Sequence, residues 1–264
     1  MPVLILLIVA AAAGLAAAAL ARALMRRGPV TGPRAARLDP EQVSGLVLTL
    51  ALAALIAGGA LLAALAVIVR STEVLSGLDH GVAAWGDRHA SAFSHAALTA
   101  ITDLGETWAV AAVAAIVVLV DFLRRRSLWA LAFLLAVIAG DKLITELLKE
   151  LVDRARPALE PVAATLGPSF PSGHSSTAAA SWAAFALVAS RWWGRRAWPA
   201  LAGVAVGIAV AVALSRVLLD VHWLTDVVAG LALGWAWFAA CAIAFGRWLL
   251  PRPLPAAGSP RPAP

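Results

Sequence analysis

Charged residues are scarce in this chain of 264 residues. Asp, Glu, Lys and Arg together make up 14% of it, whereas 62% of the residues are hydrophobic and the mean hydropathy is +0.87. The apolar share of an ordinary soluble domain is roughly 45–50%. The composition therefore excludes such a domain and indicates a membrane protein.

Cysteine is almost absent too, since Cys241 is the only one. No intramolecular disulfide can form, and one thiol inside a hydrophobic run is typical of a small packing residue. The sequence has neither a glycine-rich nucleotide loop nor an internal repeat. The net charge of +6 does not indicate a nucleic acid partner, because the arginines lie in short connections between hydrophobic runs.

Long hydrophobic runs, by contrast, are abundant. Seven of them approach or exceed the length of about 17–25 residues that a membrane-spanning helix needs. Ala, Leu and Val dominate these runs, and strand-like alternation is absent. We therefore predict an all-α fold, a polytopic transmembrane helical bundle with a six-span core and one extra N-terminal span. The predicted spans are residues 3–25, 45–69, 107–123, 128–148, 175–190, 200–219 and 224–249.

Arginine recurs in every second connection between these runs. If all seven runs span, every arginine-rich segment falls on one side, which the positive-inside rule assigns to the cytoplasm. The arginines concerned are Arg26, Arg27, Arg34, Arg37, Arg124, Arg125, Arg126, Arg191, Arg195, Arg196, Arg247, Arg252 and Arg261. We expect a multi-pass protein of the plasma membrane with a cytoplasmic C-terminus. Residues 70–106, 149–174 and 216–222 then share the non-cytoplasmic face.

The same patterns predict three regions. Residues 1–43 form an accessory transmembrane helix and a cytoplasmic linker; the helix has no Lys or Arg before it, which favours a retained helix over a cleaved signal. Residues 44–249 form the membrane-embedded core. Residues 250–264 form a proline-rich tail that is expected to be disordered. Within the core, residues 72–106 are expected to form one or two short helices over the outer face.

Three short polar blocks interrupt the hydrophobic chain, and the first contains Lys149 and Arg156-Pro157. The proline favours an extended conformation for Arg156, whose planar fork can then bind phosphate oxygens, with Lys149 as a second charge. Alone, this pair is more typical of basic anchors that reach the membrane interface.

The second block, Pro171-Ser172-Gly173-His174, precedes the fifth predicted span. Ser172 can cap this helix, whose first N–H groups point outward and favour an anion. Gly173 allows the backbone to approach a ligand, and His174 could donate a proton at the edge of the site. As a lone tetrapeptide, the block is more typical of an ordinary capped turn.

The third block consists of Ser215-Arg216, followed by His222 and Asp226, which open the seventh predicted span at spacing i, i+4. A carboxylate that accepts a hydrogen bond from one ring nitrogen leaves the other nitrogen unprotonated, as a nucleophile or base. The alternative is a buried pair with a purely structural role.

Other polar residues near these blocks are expected to have structural roles. Asp141, Lys142 and Glu146 are predicted to form an intrahelical group of ion pairs, in which Glu146 can also reach Lys149. Thr225 and Asp220 are predicted to be local capping or surface groups.

Together, the three blocks collect seven functional side chains and one glycine on one predicted membrane face, which structural roles alone do not explain. In residue type, order and spacing they resemble the three-part signature of the type 2 phosphatidic acid phosphatase superfamily. This superfamily includes bacterial lipid phosphate phosphatases and the vanadium haloperoxidases. The resemblance covers about residues 44–249.

The resemblance implies a role for each residue. His222 would attack phosphorus to give a phosphohistidine, Asp226 would orient its ring, and His174 would protonate the leaving oxygen and then activate water. The phosphoryl oxygens would be held by Lys149, Arg156, Ser172, Gly173 and Arg216. Neither a metal nor another cofactor is implied.

We therefore expect a metal-independent membrane phosphatase that removes a terminal phosphate from a lipid phosphate or a polyprenyl diphosphate, such as undecaprenyl diphosphate, at the outer leaflet. Its partners would be this amphiphilic substrate and membrane lipid; no protein partner is indicated. The alternatives are a lipid-linked phosphotransferase with an alcohol acceptor, an anionic lipid transporter and a non-catalytic lipid-binding scaffold. A transporter would normally place its charges near the bilayer midplane. A haloperoxidase is disfavoured, because the chain is embedded in the membrane.

Overall fold

The computed structural model describes residues 1–26, 56, 59–60, 62–68, 73–89, 91–157, 167–193 and 195–249. This part of the chain contains α-helices, two short 3-10 helices (Asp103–Gly105 and Arg195–Ala197) and no strand, which confirms the all-α prediction. The labelled helices are α1 (Pro2–Arg26), α2 (Glu73–Arg88), α3 (Ala92–Thr102), α4 (Thr107–Arg125), α5 (Trp129–Val152), α6 (Gly173–Trp193), α7 (Trp198–Leu218) and α8 (Leu224–Leu249).

Two predicted segments lie outside these residues, namely the linker as far as residue 43 and the proline-rich tail at 250–264. Most of the second predicted span, 45–69, also lies outside them, although its residues 62–68 are helical.

Four helices of the described part are long and apolar enough to cross a membrane: Pro2–Ala23, Thr107–Arg125, Trp198–Leu218 and Leu224–Gly246. They correspond to the first, third, sixth and seventh predicted spans. Helices α5 and α6 match the fourth and fifth spans and have 24 and 21 residues, or about 36 and 31 Å at 1.5 Å per residue. They are long enough to span but more polar, since α5 carries several charges and α6 begins Gly-His-Ser-Ser-Thr.

Helix α6 lies at the centre of the bundle and packs against α4, α5, α7 and α8. Most of its buried side chains are Ala or Ser. Small side chains let helices approach closely, which is how packing in membranes gains its energy. Around its middle, the larger residues Phe133, Val137 and Phe185 complete a hydrophobic cluster.

The contact between α6 and α8 depends on two glycines of α8. A Cβ atom at Gly230 would lie 2.5 Å from the carbonyl oxygen of Ser172, and one at Gly234 would lie 2.2 Å from that of Ser176. Any side chain at these positions would separate the two helices. The glycines therefore hold the N-terminal half of α6 directly against α8.

Helix α1 packs along α7. The backbones meet at Gly14 and Gly203, where an added Cβ would lie 2.6 or 2.7 Å from the carbonyl oxygen of the opposite glycine. The first hydrophobic segment is thus packed onto the rest of the bundle along much of its length.

Two short helices occur where residues 72–106 were predicted to form one or two. Helix α3 begins with a capping box between Ser91 and Ser94. Helix α2 contacts α7 and α8, and α3 contacts α7. Both helices therefore lie beside the end of the bundle where α7 finishes and α8 begins.

The prediction of an intrahelical ion-pair group is wrong for Asp141. Its carboxylate is fully buried and accepts hydrogen bonds from the hydroxyl groups of Ser176 and Thr177 on α6. Asp141 faces the neighbouring helix, where hydroxyl donors satisfy it inside the bundle. Glu146 does pair within α5, with its carboxylate 2.9 Å from Nζ of Lys149.

Candidate active site

The three polar blocks meet at one end of the bundle, which we call the site end. It consists of the C-terminal ends of α5 and α7, the N-terminal ends of α6 and α8, and the segments 153–157, 167–172 and 219–223 that connect to them. The N-terminus of α4 lies here as well, because Glu106 contacts His174. Residues more than 70 positions apart in the sequence are therefore neighbours, as the charge pattern predicted.

His222 lies just before α8 and is 2% exposed. One of its ring nitrogens, Nε2, is 3.1 Å from Nη1 of Arg156. Because a guanidinium can only donate, Nε2 must accept and the neutral ring must carry its proton on Nδ1. Burial, supported by the charges of Arg156 and Arg216, lowers the pKa of His222 to about 4, although Asp226 acts in the opposite direction. The ring is therefore neutral at neutral pH, and the lone pair on Nε2 accepts from Arg156.

Ser169 connects His222 to Asp226. The distance between Nδ1 of His222 and Oδ2 of Asp226 is 3.6 Å, which is long for a hydrogen bond. The Ser169 hydroxyl lies 3.3 Å from Nδ1 and donates to Oδ2 of Asp226. The imidazole and the carboxylate are thus joined through this hydroxyl. The sequence reasoning did not identify Ser169.

Asp226 occupies the third position of α8 and is fully buried. Its Oδ2 accepts the backbone N–H of Trp223 at 3.0 Å, which is the helix-capping contact made by an acid at this position. Its backbone carbonyl accepts the N–H of Ser172 at 3.0 Å. The cap places the carboxylate under His222, and the backbone bond fixes the start of α8 to the start of α6.

Arg156 is held in place by three backbone carbonyls. Its Nε donates to Gly167 at 2.9 Å, Nη1 to Val221 at 2.8 Å and Nη2 to Pro168 at 3.3 Å. The guanidinium therefore has a fixed position beside Nε2 of His222.

The second block forms the start of α6 beside Lys149. The hydroxyl of Ser172 accepts the N–H of Ser175 at 3.4 Å, which confirms its capping position. A Cβ atom at Gly173 would lie 3.7 Å from Nζ of Lys149. The ammonium group is therefore next to the helix N-terminus, where both favour an anion.

His174 and Arg216 complete the polar set. Nε2 of His174 lies 2.8 Å from a carboxylate oxygen of Glu106, and Nη1 of Arg216 donates to the Thr102 hydroxyl at 3.3 Å. Arg216 is within electrostatic range of both His174 and His222. The two imidazoles thus lie at the same end of the bundle with a cation near both. Sequence reasoning missed Glu106.

Arg154 and Asp79 are two further residues that sequence reasoning missed. Arg154 donates to Asp226, to the Thr225 hydroxyl at 2.7 Å and to Asp79 at 2.8 Å. The sequence does indicate that Arg154 needs a partner, because a charge near the membrane interface is costly when it is unpaired. Its position in the sequence does not indicate which carboxylate that partner is.

Two structural expectations need correction. Thr225 is not a local cap, because its hydroxyl donates to Asp79 of α2 at 2.7 Å. Asp220 is not a surface group, because it is 7% exposed. Its φ of 56° places it in the left-handed region, in the tight connection between α7 and α8.

The fold and the geometry of the site together define the class of protein. This is a multi-span helical membrane protein whose imidazole and carboxylate pair lies among guanidinium and ammonium groups suited to an anion.

Comparison with known proteins agrees with this description of a helical membrane protein with an anion site. A family model described as the PAP2 superfamily matches residues 128–249. The chain is 35% identical over 139 residues to phosphatidylglycerophosphatase B of Bacillus subtilis, a match that covers 52% of this chain and 68% of that protein. It is 36% identical over 130 residues to a lipid A 1-phosphatase of Rhizobium johnstonii, covering 45% of this chain and 49% of that protein.

A solved structure is similar as well. The crystal structure of a transmembrane PAP2-type phosphatidylglycerolphosphate phosphatase from Bacillus subtilis has a TM-score of 0.62 and 29% sequence identity, covering 69% of this chain and 91% of that chain. The chain belongs to the PAP2 superfamily, as its signature predicted, and its relatives in this family are membrane lipid phosphatases.

Proposed function

We propose that this protein is a metal-independent phosphatase that removes a terminal phosphate from a lipid phosphate or a polyprenyl diphosphate, through a phosphohistidine on His222, at the non-cytoplasmic leaflet. The observation that carries the proposal is the contact between Arg156 and Nε2 of His222. It puts a fixed phosphate-binding group against the lone pair of a neutral imidazole.

In the first step, the lone pair of Nε2 forms a bond to phosphorus while the bond from phosphorus to the leaving oxygen breaks. The charged ring that results is stabilised by Asp226, through Ser169 and through space. His174 gives its proton to the leaving oxygen. The phosphoryl oxygens are held by Lys149, Arg156, Arg216, the hydroxyl of Ser172 and the N–H of Gly173. Phosphoryl transfer is catalysed mainly by such positioning and electrostatic stabilisation.

In the second step, water attacks the phosphohistidine. His174 accepts a proton from this water, the bond between phosphorus and Nε2 breaks, and inorganic phosphate leaves. Glu106 supports both steps, because its carboxylate is 2.8 Å from the His174 ring and can stabilise its charged form. Burial raises the pKa of Glu106, but His174, the backbone N–H of Thr107 and Arg216 together outweigh burial and lower it below its usual range.

Metal independence of the reaction is supported by the kinds of side chain that surround the candidate site. The site offers cations to the phosphate, and within the described residues no three His, Cys, Asp or Glu side chains are grouped to hold a metal ion. Cationic side chains can neutralise the charge that develops on the phosphoryl oxygens, which is the function that metal ions serve in other phosphatases.

The sidedness is supported by the distribution of arginine. Arg124 and Arg125 at the end of α4 and Arg191 at the end of α6 lie at the end of the bundle opposite the site. Arg125 donates to the backbone of Arg191, and both approach the buried Asp121. The positive-inside rule assigns this end to the cytoplasm.

The substrate class is supported by the relatives, whose names refer to phosphatidylglycerophosphate and to lipid A phosphate. Both are phosphorylated lipids. The remainder of a lipid can stay in the bilayer while its phosphate reaches a site at the end of membrane-spanning helices.

The test is release of inorganic phosphate by the full chain in detergent micelles. The substrates are dioctanoyl phosphatidic acid, phosphatidylglycerophosphate and undecaprenyl diphosphate, each assayed in the presence of a chelator. We expect His222→Ala to lower kcat by about 10³-fold or more, as loss of a nucleophile does, and orthovanadate to inhibit. The exposed His95→Ala on α3 is the matched control and should retain activity.

Three outcomes would contradict this proposal. They are full activity of His222→Ala, loss of activity in chelator that zinc or magnesium restores, and transfer of the phosphoryl group to an alcohol with little free phosphate.

A further inference from the structure

Arg154 lies at the centre of a hydrogen-bonded network that includes Asp226, the carboxylate beside His222. Its Nη1 donates to Oδ1 of Asp226 and to the Thr225 hydroxyl, and its Nη2 donates to Oδ2 of Asp79 at 2.8 Å. Its guanidinium carbon lies 5.5 Å from the centre of the Trp223 ring. The side chain is 15% exposed, so both carboxylates meet it in a largely dry environment.

Asp79 comes from α2, outside the three signature blocks, and is 1% exposed. In addition to Arg154, it accepts the backbone N–H of Thr225 at 3.0 Å and the Thr225 hydroxyl at 2.7 Å. A buried carboxylate is costly unless it is paired and hydrogen-bonded. Asp79 meets both conditions, and the contacts that satisfy it are made to the first turn of α8.

The charges in this network have a consequence for Asp226. A lone Arg154 would neutralise Asp226 and weaken its attraction for a positively charged His222 ring. Asp79 shares the same guanidinium, so Asp79, Arg154 and Asp226 together carry one net negative charge. That charge remains available for the phosphorylated imidazole, while Arg154 and Ser169 hold the two oxygens of Asp226 in place.

We propose that Asp79 and Arg154 are positioning residues of this reaction, which fix Asp226 and preserve its negative charge for His222. The proposal rests on the function proposed above. It assigns to the outer helix α2 a direct part in the reactivity of the nucleophile, through contacts with Arg154 and Thr225 and without contact with the substrate.

The experiment compares Arg154→Gln, Arg154→Lys and Asp79→Asn with the unmodified chain, using dioctanoyl phosphatidic acid in micelles. We expect kcat to fall about 10- to 100-fold in Arg154→Gln and less in Asp79→Asn, by analogy with the loss of groups that orient metal-binding histidines. KM and the inhibition constant of orthovanadate should change less than about threefold. Arg154→Lys, which keeps the charge, should recover part of kcat.

The double variant Asp79→Asn, Arg154→Gln separates this role from loss of folding. Removing Arg154 alone leaves two buried carboxylates without their cation, so removing Asp79 as well should restore part of kcat and of the melting temperature. Asp87→Asn and Arg88→Gln, exposed on the same helix α2, are the matched controls and should behave like the unmodified chain.

Two results would overturn this inference. One is an unchanged kcat in both Arg154→Gln and Asp79→Asn, while His222→Ala is inactive. The other is a loss of orthovanadate affinity in Arg154→Gln as large as in Arg156→Gln, which would make Arg154 a phosphate ligand. An active His222→Ala would instead contradict the proposed function.

Discussion

At the scale of single residues, type and spacing in the sequence predicted which residues would lie together at the candidate site but not all their partners. His222 and Asp226 could be paired because they are four positions apart in one block. Ser169, which lies between their side chains, could not be identified, because it is over 50 positions away and its place depends on how the segment before α6 folds back. Local spacing carries no information about such a contact.

The protonation of His222 gives a prediction at this scale. Its pKa of about 4 in the folded protein lies below the usual value of about 6.5. The unfolded chain therefore binds this proton more readily than the folded protein does. The free energy of unfolding consequently decreases as the pH falls from about 6.5 towards 4. We expect the ring nitrogens of His222 to show the neutral form, protonated on Nδ1, at pH 5–8. The measurement is ¹⁵N NMR of histidine-labelled protein in micelles.

The chain has 5 histidines, so the spectrum is simple to assign. The signal that disappears in His222→Gln belongs to His222. A titration midpoint near 6.5 for that signal would contradict the argument that burial lowers the pKa of His222.

At the scale of helices, the hydrophobic runs predicted the position of most elements but not which faces meet. Asp141 illustrates this, since a helical period places it beside charged neighbours on α5, whereas packing turns it towards hydroxyl groups of α6. Likewise, the two glycines of α8 are visible in the sequence, but only the structure shows the carbonyl oxygens they admit. Partner choice between helices is a tertiary property that periodicity does not encode.

The approach of α8 to α6 gives the second prediction. In Gly234→Ala, the added Cβ would lie 2.2 Å from the backbone oxygen of Ser176 and 2.8 Å from Cβ of Ala179, so the helices must separate. We expect a destabilisation of about 1–3 kcal/mol, typical of overpacking, together with reduced kcat. Thermal unfolding in detergent and the phosphate-release assay measure the two effects.

Gly77→Ala is the matched control, because Gly77 also lies within a helix but an added Cβ there would have no neighbour within 4 Å. Alanine has the higher helix propensity, so this variant should be unchanged or slightly more stable. Equal behaviour of the two variants would show that close backbone approach does not hold the α6 and α8 faces together.

At the scale of the whole molecule, composition was sufficient to predict a helical membrane bundle, and arginine counting was sufficient to bring the three blocks to one end of it. The contributions of α2 and α4 could not be predicted, because Asp79 and Glu106 lie in segments with no recognisable motif. Asp79 joins the site only because α2 packs against α7 and α8, and Glu106 joins it because the start of α4 lies beside His174 of α6.

The orientation of the molecule gives the third prediction. Asp153 ends α5 at the site end and Arg126 ends α4 at the opposite end; both are exposed, with φ of 44° and 53°. In a Cys241→Ala background, we expect Asp153→Cys to react with a membrane-impermeant maleimide added to intact cells, and Arg126→Cys to react only after permeabilisation.

The two positions are matched in exposure and backbone conformation, so substitution should strain both to a similar degree. The reverse pattern of labelling would place the site on the cytoplasmic side and contradict the proposed leaflet.

The contact between Arg156 and Nε2 of His222 makes one guanidinium serve two acceptors in succession. Its Nη1 donates to the lone pair of the ring, and in the proposed reaction an arriving phosphate competes for the same N–H group. An anionic phosphate oxygen accepts a hydrogen bond from a guanidinium more strongly than the neutral ring nitrogen does, whereas an uncharged molecule does not. The nitrogen would thus be uncovered by the chemical group that it attacks, which protects it from uncharged electrophiles during the interval between turnovers.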